Sequence, residues 1–273
     1  MDTFFKLTAL LTLITSLSLS TSQATAETLT TELSESQAKG LEIAKTIKER
    51  NTGWVSSSSN MVMTLRNKKG REVERLMTNK SLEVESDGDK GLTVFNTPAD
   101  VRGTAFLSFS HIDDADDQWI YLPALKRVKR IASRNKSGPF LGSEFAFEDL
   151  SSFEVEKNTY DYLGDEQING LEAFKVEMRP LDKYSGYTRT IAWVDKAHYR
   201  IHKIEFYDRR DTLLKTLSSE GFQLYLDKYW RADKQFMVNH KTGKSTDIEI
   251  NNLVFGTDVD ESVFNENRLR NAR

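Results

Sequence analysis

The chain is 273 residues long, contains no cysteine and balances 38 Lys and Arg against 41 Asp and Glu, a formal net charge of −3. The absence of cysteine excludes structural disulfides, thiolate metal sites, a cysteine nucleophile and an acylated lipoprotein N-terminus. The charge balance supplies no basic field, so nucleic acid is not expected among the partners.

The first residues read as a targeting segment. Lys6 opens an apolar run from Leu7 to Leu19, and small residues at Ala24 and Ala26 frame a cleavage site. This is the pattern of a secretory signal peptide over 1–26, and the run is too short and too rich in Ser and Thr to span a bilayer. Residues 27–273 are then one exported domain, long enough for a sizeable core. They hold neither an internal repeat nor a Pro/Gly/Ser-rich linker.

Helical periodicity is clear just after the signal. In "SESQAKGLEIAKTIKERNTG", Ser34 and Gln37 form a capping box, and Ala38, Leu41, Ala44 and Ile47 share a face before Asn51 and Gly53 end the pattern. The spacing predicts an amphipathic helix over 35–50. Almost everything after it has period two. "SNMVMTLRNKKGREVERLM" alternates Met61, Met63 and Leu65 with polar neighbours and turns at Lys69-Gly70. Runs such as "SLEVES", "GLTVFN", "GTAFLSFS", "LEAFKVEM" and "TDIEINNLVF" follow, separated by Gly, Asn and Asp that tolerate positive φ. A meander of about a dozen antiparallel strands is the economical reading. Lys175 and Glu177 between Phe174, Val176 and Met178 put water on one side of the sheet. "TPADVRG" at 97–103 reads as a loop or helical turn, and "GSEFAFEDLSSF" at 142–153 as a helix of about two turns. An incomplete barrel with one wet face and a few helices on the other satisfies these elements.

Catalytic signatures are absent from the sequence. "GKS" at 243–245 has Val238 where a phosphate-binding loop needs glycine, and neither HExxH nor GxSxG occurs. His198 and His202, four apart on a predicted strand, stand roughly 13 Å from one another, too far for one ion. The acidic run Asp113 to Asp117 lacks the glycine and distal glutamate of a calcium loop and reads as a solvated hairpin tip. A lipid-acting, metal-assisted hydrolase would have to draw on Asp113, Asp114, Asp116 and Asp117.

"DQWIYLPALKRVKRI", residues 117–131, holds four cations between Lys126 and Arg130. A tight turn at Pro123-Ala124 pairs Leu122 with Leu125, Tyr121 with Lys126, Trp119 with Val128 and Asp117 with Arg130, which gives the cations acidic partners without a polyanion.

"PADVRGTAFL", "WIYLPALKRVKRI" and "GPFLGSEFAFEDL", together from Pro98 to Leu150, resemble in order, spacing and residue type the signature of the LolA-like outer-membrane lipoprotein-sorting protein family. The resemblance implies an α+β fold: an antiparallel β-sheet curled into an unclosed half-barrel, with a few helices covering its concave face. It implies a periplasmic, non-enzymatic carrier without cofactor or metal, taking acyl chains of lipoproteins or lipids in a hydrophobic cavity. Its partners would be an RND-type inner-membrane exporter and an outer-membrane acceptor; a sensor or accessory module of an exporter complex is the neighbouring alternative. Met61, Met63, Leu65, Phe106, Phe109, Trp119, Tyr121, Phe140, Phe145 and Phe147 are the expected apolar lining, since methionine adapts to varied shapes. Whether they line a cavity or fill a closed core is open in the sequence. Arg127 and Lys129, on the face opposite Trp119 and Tyr121, are expected either to keep the outside wet or to meet anionic headgroups.

Overall fold

The structure is a computed structural model that describes Met1 and residues 32–272. All but the first residue of the expected signal peptide therefore lies outside the described residues. From Leu33 to Arg273 the chain is one compact unit.

Helix α1 (Glu35–Arg50) begins where the capping box predicts: the Ser34 hydroxyl accepts from the Gln37 N–H and the Gln37 side chain accepts from the Ser34 N–H. Asn51 ends it by donating from its side chain to the Ile47 carbonyl, 2.8 Å. The buried stripe is Gly40, Ile43, Ala44 and Ile47. Ala38, expected on that stripe, is exposed. The helix is rotated because Gly40 lies against a strand: a β-carbon there would stand 3.0 Å from the backbone nitrogens of Asp161 and Tyr162.

Thirteen strands follow: β1 (Ser56–Arg66), β2 (Glu72–Leu82), β3 (Lys90–Thr97), β4 (Ala105–Phe109), β5 (Asp117–Leu122), β6 (Arg127–Arg130), β7 (Asn158–Ile168), β8 (Leu171–Pro180), β9 (Tyr187–Asp195), β10 (Ile201–Asp208), β11 (Leu213–Tyr225), β12 (Tyr229–Asn239) and β13 (Lys244–Phe255). "REVERLM" and "SLEVES" are not two strands, since β2 runs through their junction. All strands join one antiparallel sheet in the order β6-β5-β4-β3-β2-β1-β13-β12-β11-β10-β9-β8-β7. Edges β6 and β7 do not pair, so the sheet stays an unclosed half-barrel. The β1–β13 pairing in its middle joins two meanders that are each built from sequence neighbours.

Both faces of the sheet need cover. On the inner face α1 packs Ile43, Ala44 and Ile47 over Tyr160, Val176, Ala192 and Val194. The connector between β6 and β7 lays Phe140 and Phe145 over Met63, Phe95, Phe106 and Met237. On the outer face of β3–β5, Leu92, Val94 and Leu107 are covered by Phe264 and Leu269 from the C-terminal segment. Elsewhere the outer face is charged and laced with pairs: Glu177 lies between Arg179 and Arg189, and Lys175 between Glu166 and the Trp193 ring.

The two-turn helix expected at 142–153 is replaced by a tight turn and a single 3-10 turn, Phe147–Leu150. Leu141 and Gly142 both take positive φ, and the Phe140 N–H donates to the Phe145 carbonyl, 2.7 Å. That closure breaks the helical ladder and lets both rings bury on the same cluster.

Gly40→Ala tests the helix placement. Glycine inside a helix costs about 1 kcal/mol relative to alanine, so an unopposed site would gain stability. The close approach to β7 predicts instead a loss on the order of 1–3 kcal/mol, read by urea unfolding.

Candidate functional site

The pleat places alternate residues of each strand on the inner face, and the register turns these into rows. Met61, Met77 and Phe95 form an apolar row across β1, β2 and β3. Beside it lies a mixed row, Ser59, Asn79, Thr93, Phe106 and Ile120, from β1 to β5. Next comes a polar row, Ser57, Ser81, Gly91, Ser108 and Gln118. The inner face thus changes from greasy to hydroxylated within three rows.

The connector is fixed over the apolar part by polar ties. Lys215 of β11, 3% exposed, donates to Asp149 at 2.5 Å and to the Glu144 carbonyl at 3.0 Å. The Tyr187 hydroxyl donates to the same carboxylate at 2.8 Å, and burial beside Asp149 and Glu148 pushes its pKa well above the usual value. Arg75 donates to the Leu141 carbonyl at 2.7 Å, Gln118 to that of Phe147 at 2.9 Å, and Asn239 to the Glu144 carboxylate at 2.7 Å. These ties hold the phenylalanines in place without closing the space on either side.

Three cavities remain between the sheet and its cover. One of about 490 Å³ lies over β1–β4, under the end of α1 and Leu150–Phe153. A second, of about 660 Å³, lies between the connector and β8–β12, with Ile204, Phe206, Leu217 and Met237 in its floor. A third, of about 680 Å³, lies over β10–β12 beside the end of α1. They share walls: Ser151 to Phe153 between the first and second, Ile204, Leu217 and Gln235 between the second and third, and Ile47, Asn51, Ile201 and Arg231 between the first and third. Each is within the roughly 300–1,000 Å³ of small-molecule sites.

The expected lining residues divide by face. Met63, Phe106, Phe140 and Phe145 are fully buried on the inner face, while Met61, Leu65 and Phe147 are half-buried against the same cluster. Met61 borders the first cavity and Phe145 the second. Phe109, Trp119 and Tyr121 do not join them: they lie on the outer face, with Leu107, Phe264 and Leu269. Both faces of β4 and β5 are apolar because both are covered, so alternation alone does not say which face is inside.

The 117–131 hairpin keeps its existence but not its expected register. Trp119 pairs with Arg130, Tyr121 with Val128 and Leu122 with Arg127. Two-residue hairpins need positive φ at their first central position, which the proline ring forbids. Pro123–Leu125 forms a 3-10 turn instead, and Lys126 takes the left-handed position at φ 49°. The shift is two residues, so faces are preserved. Arg127 and Lys129 are exposed on the side of Ile120, the inner side, and form no ion pair among the described residues. Arg130 still reaches Asp117 diagonally.

The acidic run is tied inward. Asp116 pairs with Lys157, and Asp117 with Arg130 and His111. Burial works against a charged His111, but its bond to Asp87, 2.6 Å, outweighs that and raises its pKa. Burial likewise works against the Asp87 carboxylate, and the same bond with the Ile112 N–H brings it down to about 2. His198 stacks on Trp230, and His202 bonds to Asp195 at 3.1 Å. Among the described residues no group of three acidic or histidine side chains is arranged to hold a metal.

Sequence reasoning missed the polar row and the charges beside it. The signal was present in "SSSSNMVM", where Ser57 and Ser59 continue the period-two face of Met61 and Met63. Asp89, Lys48 and Arg231 border the same cavity. Burial, with Glu154 and Glu83 nearby, pushes the Asp89 carboxyl up to about 6 against the opposing pull of Lys48.

Among solved structures, an outer-membrane lipoprotein-sorting protein domain from Vibrio parahaemolyticus is 58% identical over 86% of this chain and 99% of its own, with a TM-score of 0.84. The chain belongs to the LolA-like outer-membrane lipoprotein-sorting protein family. A DUF1329 family protein from Desulfovibrio piger is 27% identical over 86% of this chain and 100% of its own, at a TM-score of 0.82. A LolA superfamily protein from Nitrosomonas europaea, 21% identical over 83% of this chain and 97% of its own at a TM-score of 0.66, shares the fold. The family model that matches, over residues 87–271, is described as "-like: Uncharacterized protein". No curated protein matches. No helix among the described residues is long and apolar enough to cross a membrane.

Two outcomes test the electrostatics of this family member. Removing one charge of the Lys215–Asp149 pair strands the other in the interior, so Lys215→Met should cost about 3–5 kcal/mol in urea unfolding. Asp89 binds a proton more readily folded than unfolded, so its contribution favours the folded state at low pH and is lost as pH rises through about 6. Asp89→Asn should therefore match the parent near pH 3.5 and exceed it at pH 8 by on the order of 2 kcal/mol.

Proposed function

We propose that the protein is a periplasmic carrier that shields the acyl chains of lipoproteins or lipids on the inner face of its open sheet and passes them towards the outer membrane. The observation that carries this reading is the run of adjoining cavities between that face and a separately tethered cover, floored by Ile204, Phe206, Leu217 and Met237. A carrier has to hide apolar surface from water and also release it, which favours space beside adaptable side chains over one sealed core. The 58% identical neighbour described as a lipoprotein-sorting domain supports the same reading. Loading by an RND-type inner-membrane exporter and delivery to an outer-membrane acceptor complete the proposed route, with export through the N-terminal signal peptide. No catalytic step is proposed. The acidic run has two of its carboxylates in ion pairs with Lys157 and Arg130.

Native mass spectrometry of freshly purified protein, with extraction of bound material, should find acyl lipid. Delipidated protein should take up phospholipid from vesicles or an acylated lipoprotein peptide into a soluble complex. Leu217→Trp, which fills the wall between two cavities, should cut that uptake several-fold while the circular dichroism spectrum stays unchanged. A protein that holds no acyl ligand and acquires none would end the reading, and phospholipid turnover abolished by Asp113→Asn with Asp116→Asn would replace it with a hydrolase.

A further inference from the structure

The cavity over β1–β4 differs in chemistry from the other two. Its floor is the polar row, and two of its hydroxyls are unusual: Ser57 is 8% exposed and Ser108 is 6% exposed, yet neither hydroxyl has a hydrogen-bond partner among the described residues. Buried polar groups in folded proteins are nearly always bonded. These two border open space, so the partner they are built for is one that enters it. Gly91 sits between Ser81 and Ser108 in the row, and a β-carbon there would stand 3.0 Å from the Ser108 hydroxyl. The floor is kept low at the point where the hydroxyls face the cavity.

Two charges border the same space. Arg231 packs its guanidinium against the rings of Phe255, 5.4 Å, and Tyr229, 5.7 Å. Its protein hydrogen bonds leave from Nη1 alone, to Asn51 Oδ1 at 2.6 Å and the Trp230 carbonyl at 3.0 Å. Nε and Nη2 have no protein acceptor among the described residues, and no carboxylate pairs with the group. Asp89 likewise forms no ion pair there. Lys48, the other cation in the wall, is already committed to Glu154 at 2.7 Å. The cavity therefore offers one free guanidinium, one free carboxyl and buried hydroxyls, and it shares Met61 and Ile250 with the apolar floor. A guanidinium held by aromatic faces with two N–H groups to spare is suited to a phosphate.

We infer that this cavity is the headgroup subsite of the carrier, and that it takes a zwitterionic phospholipid head: phosphate at Arg231, a primary amine at Asp89, and the ester and glycerol oxygens at Ser57 and Ser108. The inference rests on the carrier reading and narrows its cargo, since an acylated cysteine carries neither the phosphate nor the amine. The adjoining apolar cavities receive the chains.

The test is competition. Delipidated protein is mixed with vesicles containing equal amounts of phosphatidylethanolamine, phosphatidylglycerol and diacylglycerol of identical chains, and bound lipid is extracted and counted by mass spectrometry. The parent should hold phosphatidylethanolamine at least tenfold over diacylglycerol. Arg231→Gln should bring that ratio close to one, whereas Arg231→Lys, which keeps the charge, should retain most of it. Asp89→Asn should erase the preference over phosphatidylglycerol while keeping that over diacylglycerol. Ser57→Ala with Ser108→Ala, which removes only two unbonded hydroxyls, should lower uptake of all three without unfolding the protein. Equal uptake of the three lipids by the parent, or ratios untouched in the Arg231 and Asp89 variants, would overturn the headgroup assignment and leave the carrier standing. Uptake of none would overturn both.

Discussion

A sheet that curls without closing has an apolar inner face and no opposite wall to bury it. Everything else in this molecule answers that constraint. The cover comes as two separate pieces, α1 at the β7 side and the β6–β7 connector at the other, each with its own anchoring. Helix α1 is held by close packing at Gly40, and the connector by buried hydrogen bonds that converge on Asp149 and Glu144. Two lids of limited size do not tile a surface this wide, and the cavities are the seams between them. The binding space is a consequence of how the sheet is covered.

The anchoring differs in kind on the two sides, and this affects how the seams can widen. Apolar packing under α1 is non-directional and tolerates small sliding. The connector relies on the Lys215–Asp149 pair and its neighbours, whose energy depends on geometry and on the exclusion of water. Such ties favour a lid that is either seated or released. The outer face has no comparable task, and apart from the patch under Phe264 and Leu269 it uses ion pairs and cation–π contacts to stay wet.

Much of the fold was legible because period two and turn residues carry it. The helix limits follow from Ser34, Gln37 and Asn51, and most strand runs were visible as alternation. What was hidden had physical reasons. The rotation of α1 was fixed by an approach at Gly40 that no helical pattern encodes. The connector was misread as helical because its apolar spacing at Phe145, Phe147 and Leu150 suits a helix, while the positive φ at Leu141 and Gly142 was not foreseen. Trp119 and Tyr121 were assigned to the inner face because β4 and β5 are apolar on both sides, and only the C-terminal segment, remote in sequence, shows which is which. The hydroxylated row was overlooked for a simpler reason: serine repeats read as linker-like, and their phase with Met61 and Met63 is what gives them meaning.

The central pairing of β1 with β13 gives the molecule a kinetic character of its own. Each meander is made of local hairpins and can form early, but the junction between them waits for strands at opposite ends of the chain, and such distant contacts are slow to close. The polar row sits on β1–β5 while Arg231 comes from β12, so the two halves of the cavity over β1–β4 meet only at that junction. A chain interrupted before Lys244 would hold both halves of the wall and no site, which makes ligand capture a property of the finished molecule and not of either half.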